Sequence, residues 1–423
     1  MWSELLKNPN KKFHLHIELT TKCNSACPLC PRFVFGTTEL NPAISLKELH
    51  LEEMKSWFPP ELCKKVGSIN FCGNFGDPAS CKDMYPIVEY FHKSNTNTEI
   101  EVRTNGGMQS VDVWKKLGKL SKNSNKKIKV IFSVDGTEET NDLYRRNVSW
   151  DILTRNIKAY TQSGGWAWQE FLIFNHNQHE IKDAQKLAES LGIEYVNFKQ
   201  AFGFEDYGLR KTRAVAIYDK NGHFEYYLRP SKNYNSSDLE YDNKLAGVIS
   251  GNGVATIEKK DVPFYLNYDW MNNSCGVFFE PYKNIHGEYN ELEKTDISCM
   301  AHTVHRGNIE IYLNSNGDIR PCCHIGVDMD RHSGDAVGHQ LNNQILSPPQ
   351  DFNIRTNTLK NILELFDERI YSTWDKTHEE GRCYKCSLQC GRRDVMEELY
   401  LDRKKLKKQK LIVKKKPPKK RAI

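Results

Sequence analysis

Three cysteines, Cys23, Cys27 and Cys30, lie within eight residues of one another, separated by three and then two residues. They follow His14 to Leu19, whose alternation reads as a strand. Thiolates suit zinc and iron–sulfur clusters alike. Four of them close a structural metal site, whereas three leave one coordination position for a reacting molecule. The competing reading is a zinc site completed by a more distant residue such as His14 or His16. The chain has 13 cysteines, with a doublet at Cys322 and Cys323 and a second group at Cys383, Cys386 and Cys390. In a chain of this size that clustering favours metal sites over disulfides. Cys63, Cys81 and Cys275 read as isolated or buried thiols.

The elements that must position the first cysteine loop alternate in type. Strands are expected at His14–Leu19, Ser68–Phe71, Ile100–Arg103, Ile128–Ser133, Glu170–Phe174 and Tyr195–Lys199. Helical stripes fall between them: Tyr85, Val88 and Phe91; then Val111, Trp114, Leu117 and Leu120; then Ile181, Ala184, Leu187, Ala188 and Leu191, ended by Gly192. This order predicts an α/β fold with a parallel sheet covered by helices. Six strands are too few for an eight-fold barrel, so the expectation is an open, partial (β/α)6 TIM-like barrel. In such barrels the reacting groups come from loops at the C-terminal ends of strands. Four polar or Gly-rich stretches sit there: the cysteine loop, Cys72–Pro78, Thr104–Gly107 and Ser133–Gly136.

The predicted organisation is a barrel over residues 1–200, a linker or insert of unknown role at 201–298, a cysteine-rich segment at 299–394, and a helix with a basic tail at 395–423. Within the insert, Tyr226–Leu228 and Val277–Phe279 are candidate strands, and Ser231 to Lys244 reads as a polar loop. A hairpin is expected from Ile309 to Cys322, with a type I′ turn at Asn316-Gly317. A helix is expected from Val395 to Leu406.

Composition sets the broad class. Apolar residues make up 39% and charged residues 27% of 423, as expected for a soluble globular protein. No apolar run approaches the roughly 20 residues of a membrane span. The N-terminus is too short and polar for a secretory signal, which points to the cytoplasm. The net charge of +6 is uneven. Residues 403–423 hold twelve Lys and Arg and no acid, leaving 48 basic against 54 acidic side chains elsewhere. Blocks of like charge are usually solvated and disordered, so the tail is read as such, with a salt-sensitive nucleic-acid anchor as the alternative.

Taken together, the motifs resemble the radical SAM superfamily, in particular members with a C-terminal SPASM or twitch extension. The resemblance covers residues 13–200 well and 299–390 in part. It implies that Cys23, Cys27 and Cys30 ligate a [4Fe–4S] cluster and that S-adenosylmethionine occupies the open iron. Gly76, Asp77 and Pro78 are similar to the family's Gly-Gly-Glu-Pro motif, with Phe75 replacing the first glycine and Asp77 the glutamate. The backbone there is expected to receive the methionine amino group. Asn105 matches a ribose-contacting turn. Ser133 and Asp135 match a Ser-x-Asp-Gly motif whose serine contacts the cofactor carboxylate, and Arg145 is a candidate carboxylate partner. Cys299, Cys322, Cys383 and Cys386 resemble the ligands of a second, auxiliary [4Fe–4S] cluster, with Cys323 or Cys390 as alternates; a structural zinc ribbon shares that spacing.

The implied activity is reductive cleavage of S-adenosylmethionine to a 5′-deoxyadenosyl radical that takes hydrogen from a peptide or small-molecule substrate. A flavodoxin- or ferredoxin-like electron donor goes with it. With about a dozen residues ahead of the first strand, a peptide substrate would need a separate carrier or the 201–298 insert. The other function classes are a nucleic-acid-modifying radical enzyme guided by the tail, and a non-catalytic, zinc-stabilised binding protein.

Overall fold

A computed structural model describes residues 1–33, 36–42, 44–201, 205–206, 211–212, 214–231, 296–297, 299, 301, 308–330 and 340–391. The predicted strand at Val277–Phe279, the helix from Val395, the basic tail and Cys275 lie outside them.

The expected six strands form, each within a few residues of its predicted bounds: β1 Phe13–Ile17, β2 Val66–Phe71, β3 Glu99–Thr104, β4 Ile128–Ser133, β5 Trp166–Ile173 and β6 Tyr195–Gln200. They pair in parallel in chain order. Between and before them run α1 Glu4–Lys7, α2 Leu51–Trp57, α3 Pro60–Cys63, α4 Met84–Ser94, α5 Val111–Asn123, α6 Trp150–Gln162 and α7 Ile181–Ser190. Local chemistry explains their ends. The Ser110 side chain accepts from Val113 N at the start of α5, and the Ser149 side chain accepts from Ile152 N at the start of α6. After α7, Gly192 takes φ +75° while Ile193 N returns to Ala188 O, an αL stop.

Short strands β7 Glu205–Asp206 and β8 Lys211–Thr212 pair with each other, as do β9 Val215–Tyr218 and β10 Phe224–Leu228. The strand expected at Tyr226–Leu228 is thus half of a hairpin. In the C-terminal part β11 Ile309–Leu313 and β12 Ile319–Arg320 also form the expected hairpin. Its turn differs from type I′, which needs positive φ at both central residues. Only Gly317 is left-handed, at φ +84°. Asn314 Oδ1 accepts from Asn316 N and Asp318 N, closing a wider loop.

A larger difference concerns where that hairpin goes. β11 pairs in parallel with β1, Phe13 opposite Ile309 through Ile17 opposite Leu313. The sheet therefore has eight strands in the order β12-β11-β1-β2-β3-β4-β5-β6, open and still a partial barrel. The sequence separation hides this pairing, since β11 reads like any local hairpin strand. The short antiparallel β12 then forms the sheet edge on that side.

Alternation along the strands divides the sheet's two faces. Phe13, Leu15, Ile17, Ile69, Phe71, Val102, Val130 and Phe132 join a core with residues of α4, α5 and α6. Each such fully buried side chain is worth about 1.5–3 kcal/mol. The inner face carries charge instead. Arg103 bridges Glu101 and Glu170, Lys129 pairs with Glu101, and Lys199 pairs with Glu170. Among the described residues no helix is long and apolar enough to cross a membrane.

Candidate active site

The cysteine loop leaves the C-terminal end of β1, as expected of a barrel site. Cys27 is buried, while Cys23 and Cys30 are half-buried. A one-turn contact, Cys30 N to Cys27 O at 3.0 Å, brings the last two together. Donors surround the sulfurs. Ser25 N lies 3.3 Å from Cys23 Sγ and Ser25 Oγ lies 3.0 Å from Cys27 Sγ. Asn105 Nδ2 reaches Cys23 Sγ at 3.6 Å, and Arg145 Nη1 reaches Cys27 Sγ at 3.6 Å. Burial pushes the Cys23 thiol well above its ordinary range, and the charges of Asp77, Cys27 and Cys30 add to that. A metal is what turns such thiols into thiolates.

The three other predicted loops stand at the same rim and are tied to this one. Asp77 is buried and spans two of them. Its Oδ1 accepts from Ala79 N at 2.8 Å and Thr104 Oγ1 at 2.7 Å, and its Oδ2 accepts from Asn105 N at 2.6 Å. Burial raises its pKa, opposed by those three bonds. Both carboxylate oxygens thus serve to join the β2 and β3 loops. Gly76 stands where a Cβ would lie 1.8 Å from Thr20 O, so the close approach of the two loops requires glycine. Asn105 Nδ2 also donates to Asn24 Oδ1 at 2.9 Å, and Asn105 Oδ1 accepts from Gly107 N at 2.8 Å.

Ser133 closes β4 opposite Glu170. Asp135 is fully buried, and its Oδ1 accepts from Leu172 N at 2.6 Å. Its Oδ2 takes Arg145 Nε at 2.5 Å. Burial raises the Asp135 pKa and the Arg145 charge pulls it down. Burial likewise opposes the guanidinium charge, but Asp135 and Cys27 outweigh it and hold Arg145 cationic. The predicted carboxylate partner is therefore an arginine shared between an acid and a cysteine of the loop.

Several participants carried little sequence signal. Glu18, with no exposed surface, accepts from Phe75 N at 2.7 Å and Gly76 N at 3.0 Å, and from Tyr312 Oη at 2.7 Å. A lone acid at the end of an apolar strand was its only mark. The β9–β10 hairpin, from the segment of unassigned role, packs on the cysteine loop. Val215, Ile217 and Leu228 form one cluster with Cys27, Tyr144 and Phe174, against which Leu29 and Cys30 pack. Tyr218 N donates to Gly36 O at 2.9 Å, and Arg146 pairs with Glu225 while its carbonyl accepts from Ala26 N.

The C-terminal cysteines also gather. Cys299 and Cys390 are hydrogen-bonded through their side chains, as are Cys383 and Cys386, and Cys322 is within electrostatic reach of Cys299, Cys386 and Cys390. Cys383 precedes the helix Tyr384–Cys390. The Cys386 thiol and the N–H groups of Cys386 and Lys385 lower its pKa against the cost of burial, as suits a ligand thiolate. Burial raises the Cys323 thiol well above its ordinary range, and Glu310, to which the thiol donates, and Cys322 add to that. Cys63 and Cys81 are buried thiols that donate to Phe58 O and Leu49 O.

No protein-family model matches the chain, and no curated protein matches it. Solved structures do. The chain is similar to native anSMEcpe with bound AdoMet at 15% identity, with 93% of this chain and 95% of that one covered and a TM-score of 0.45. It is similar to Streptococcus suis SuiB bound to precursor peptide SuiA at 15% identity, covering 95% and 77%, with a TM-score of 0.49. For methylornithine synthase (PylB) the values are 14% identity, 48% and 60%, and a TM-score of 0.33. At such identities the assignment of chemistry to this chain is left to its own residues.

The donor set fits the cluster that the motifs imply. Three thiols sit on one loop with N–H donors from Ser25, Asn105 and Arg145 at their sulfurs, which is what an anionic cluster requires. Asn74 Nδ2, in the adjoining β2 loop, is buried without a hydrogen-bond partner. A buried orphan donor of this kind marks a place for a polar ligand.

Proposed function

We propose that the chain is a radical S-adenosylmethionine enzyme of the SPASM or twitch type. The observation that carries this reading is the three-thiol loop at the end of β1, with Asn105 and Arg145 from two other rim loops donating to its sulfurs. Cys23, Cys27 and Cys30 would hold a [4Fe–4S] cluster, and the five gathered C-terminal thiols would supply the ligands of a second, with Cys390 rather than Cys323 among them. When bound, the first cluster supplies one-electron reduction of S-adenosylmethionine, giving methionine and a 5′-deoxyadenosyl radical that takes hydrogen from a peptide or small-molecule substrate.

The protein's own contribution is placement and shielding. Glu18 fixes the N–H groups of Phe75 and Gly76 and so sets the orientation of the loop whose backbone is expected to receive an amino group. Asp77 locks the β2 and β3 loops together, so that Asn105 is held where a ribose contact is expected. Asp135 orients Arg145, which keeps a positive charge against Cys27 and favours the reduced state of whatever metal group the loop binds. Ser133 stands at the same rim as a carboxylate contact. Tyr144, Phe174, Ile217 and Leu228 cover Cys27 with apolar surface and limit water there. The electron comes from a flavodoxin- or ferredoxin-like donor, and the setting is the cytoplasm.

Anaerobic reconstitution tests the reading. Iron and sulfide near a four-to-four ratio per site, with reductive release of 5′-deoxyadenosine, is the expected result. Cys23, Cys27 and Cys30 all replaced by Ala should abolish cleavage, whereas C383A/C386A should retain uncoupled cleavage and lose product. Stoichiometric zinc at both cysteine groups with no cleavage would overturn the proposal in favour of a zinc-stabilised binding protein.

A further inference from the structure

We propose that His16, Glu310 and Cys323 form a separate site for one divalent ion of the zinc class, on the inner face of the sheet at the β1–β11 seam. One ligand atom from each lies within 4.8 Å of the other two. Parallel pairing of β1 with β11 sets His16 opposite Tyr312, with Glu310 two residues back on the same face. Cys323 enters as the first residue of α8, Cys323–Asp330. His16 and Glu310 are buried, at 8% and 6% exposure, and Cys323 is half-buried.

The Cys323 thiol is hydrogen-bonded to the Glu310 carboxylate, and an ion would take the place of that proton. His16 Nε2 lies 3.1 Å from Cys72 O, so a proton on that nitrogen is donated to a carbonyl and Nδ1 is the nitrogen that faces Glu310. That is the usual outer arrangement of a metal-bound histidine. Nδ1 is 3.9 Å from Glu310 Oε1, too long for a hydrogen bond. Two metal bonds of about 2.0–2.2 Å meeting near the tetrahedral angle span about 3.4 Å, so closure asks for a shift of about half an ångström there. Glu310 Oε1 also accepts from Cys323 N at 2.9 Å, which orients the carboxylate. The Tyr312 ring stands edge-on to His16 at 5.3 Å and restrains it.

Chemistry agrees with geometry. One imidazole, one carboxylate and one thiolate make a mixed N/O/S set that suits zinc better than magnesium or calcium. A dication would displace the thiol proton and balance the charge of the carboxylate and thiolate together. Three protein ligands leave a fourth position for water or a substrate donor atom. The site stands on these side chains alone and does not depend on the proposed radical activity.

The test uses the full chain, reconstituted anaerobically with iron and sulfide, oxidised, then equilibrated with Zn²⁺ or Co²⁺ and dialysed. One Zn²⁺ or Co²⁺ per chain is expected, with a high-spin Co²⁺ EPR signal and a thiolate-to-cobalt charge-transfer band. H16Q and E310Q should each weaken that binding at least tenfold with iron and sulfide unchanged, and C323S should remove the charge-transfer band. Two variants guard against one that fails to fold. The proposal is overturned if the wild type takes up no ion, if H16Q and E310Q both retain it, or if C323S loses iron and thereby places Cys323 in a cluster. Because the readout is the difference between wild type and variant in metal content, it holds whether or not the protein cleaves S-adenosylmethionine.

Discussion

Replacing Arg145 by Gln should leave Asp135 as a buried carboxylate without its cation. Asp135 has no exposed surface, and besides Arg145 Nε its carboxylate accepts from Leu172 N at 2.6 Å. Removing one partner from a buried pair costs about 3–5 kcal/mol, mostly the burden of the charge left behind. D135N removes the opposite partner and should cost a comparable amount. In D135N/R145Q neither charge is stranded, so the double variant should fall short of the summed losses by about 2–3 kcal/mol. The pH dependence adds a second check. Burial already raises the Asp135 pKa against the pull of Arg145, so without Arg145 it rises further above its unfolded value near 3.9. A raised carboxyl pKa means that the folded form is favoured in acid and loses stability as pH rises through it. R145Q should therefore lie nearest wild type at about pH 5 and furthest at about pH 8. Urea unfolding of all four cluster-free chains, followed by tryptophan fluorescence at both pH values, measures this. Losses that add within about 0.5 kcal/mol, or an R145Q chain as stable as wild type at pH 8, would refute the reasoning.

Other consequences are as direct. A unit charge about 6 Å from a cluster centre contributes about 2–3 kcal/mol at an effective dielectric near 20. R145Q should thus lower the potential of the bound cluster by on the order of 100 mV, with R145K between, as read by an EPR redox titration; an unchanged potential would remove Arg145 from that role. G76A places a Cβ against Thr20 O. It should weaken S-adenosylmethionine binding more than tenfold in equilibrium dialysis, and wild-type affinity would show that the loop contact is dispensable. Burial lowers the His176 pKa to about 4, with the nearby His179 charge adding to it, and its ring stacks on Phe174. A lowered histidine pKa gives stability that is present above about pH 6.5 and lost as pH falls toward 4, up to about 3 kcal/mol. H176F should flatten the acid limb of a stability–pH curve, and an unaltered limb would place the titration elsewhere.

What could be read from the sequence follows from how local each signal is. Ile128–Ser133 is a largely apolar run because a parallel strand in mid-sheet is buried on both faces up to its last residue; it was legible with its exact bounds. The α7 stripe and its Gly192 stop were legible for the same reason. Glu18 was not, since its importance comes from Tyr312, 294 residues away. Glu310 looks like any polar position in an alternating strand until β11 is seen to lie beside β1. The β9–β10 hairpin was half seen as a strand, but nothing in Val215–Leu228 announces that it packs on Cys27. Asp77 and Asp135 were noticed through motifs, whereas their roles as links between loops depend on backbone N–H groups that sequence does not display.

The β1–β11 pairing also fixes how the two cysteine groups stand to each other. β11 runs parallel to β1, so both end at the rim where the Cys23 loop begins. β12 then turns back, with Arg320 opposite Tyr312, and Cys323 N comes level with the Glu310 side chain. From Leu313 down to Glu310 is three residues of strand, about 10 Å. The hairpin that leads into Cys322 and Cys323 is therefore hydrogen-bonded into the same sheet as the strand that carries the rim thiols. On the proposed reading, a substrate held against the inner face of β1 to β5 would meet His16, Asn70, Arg103 and Glu170. Those side chains, more than the rim motifs, are where selectivity has to be sought.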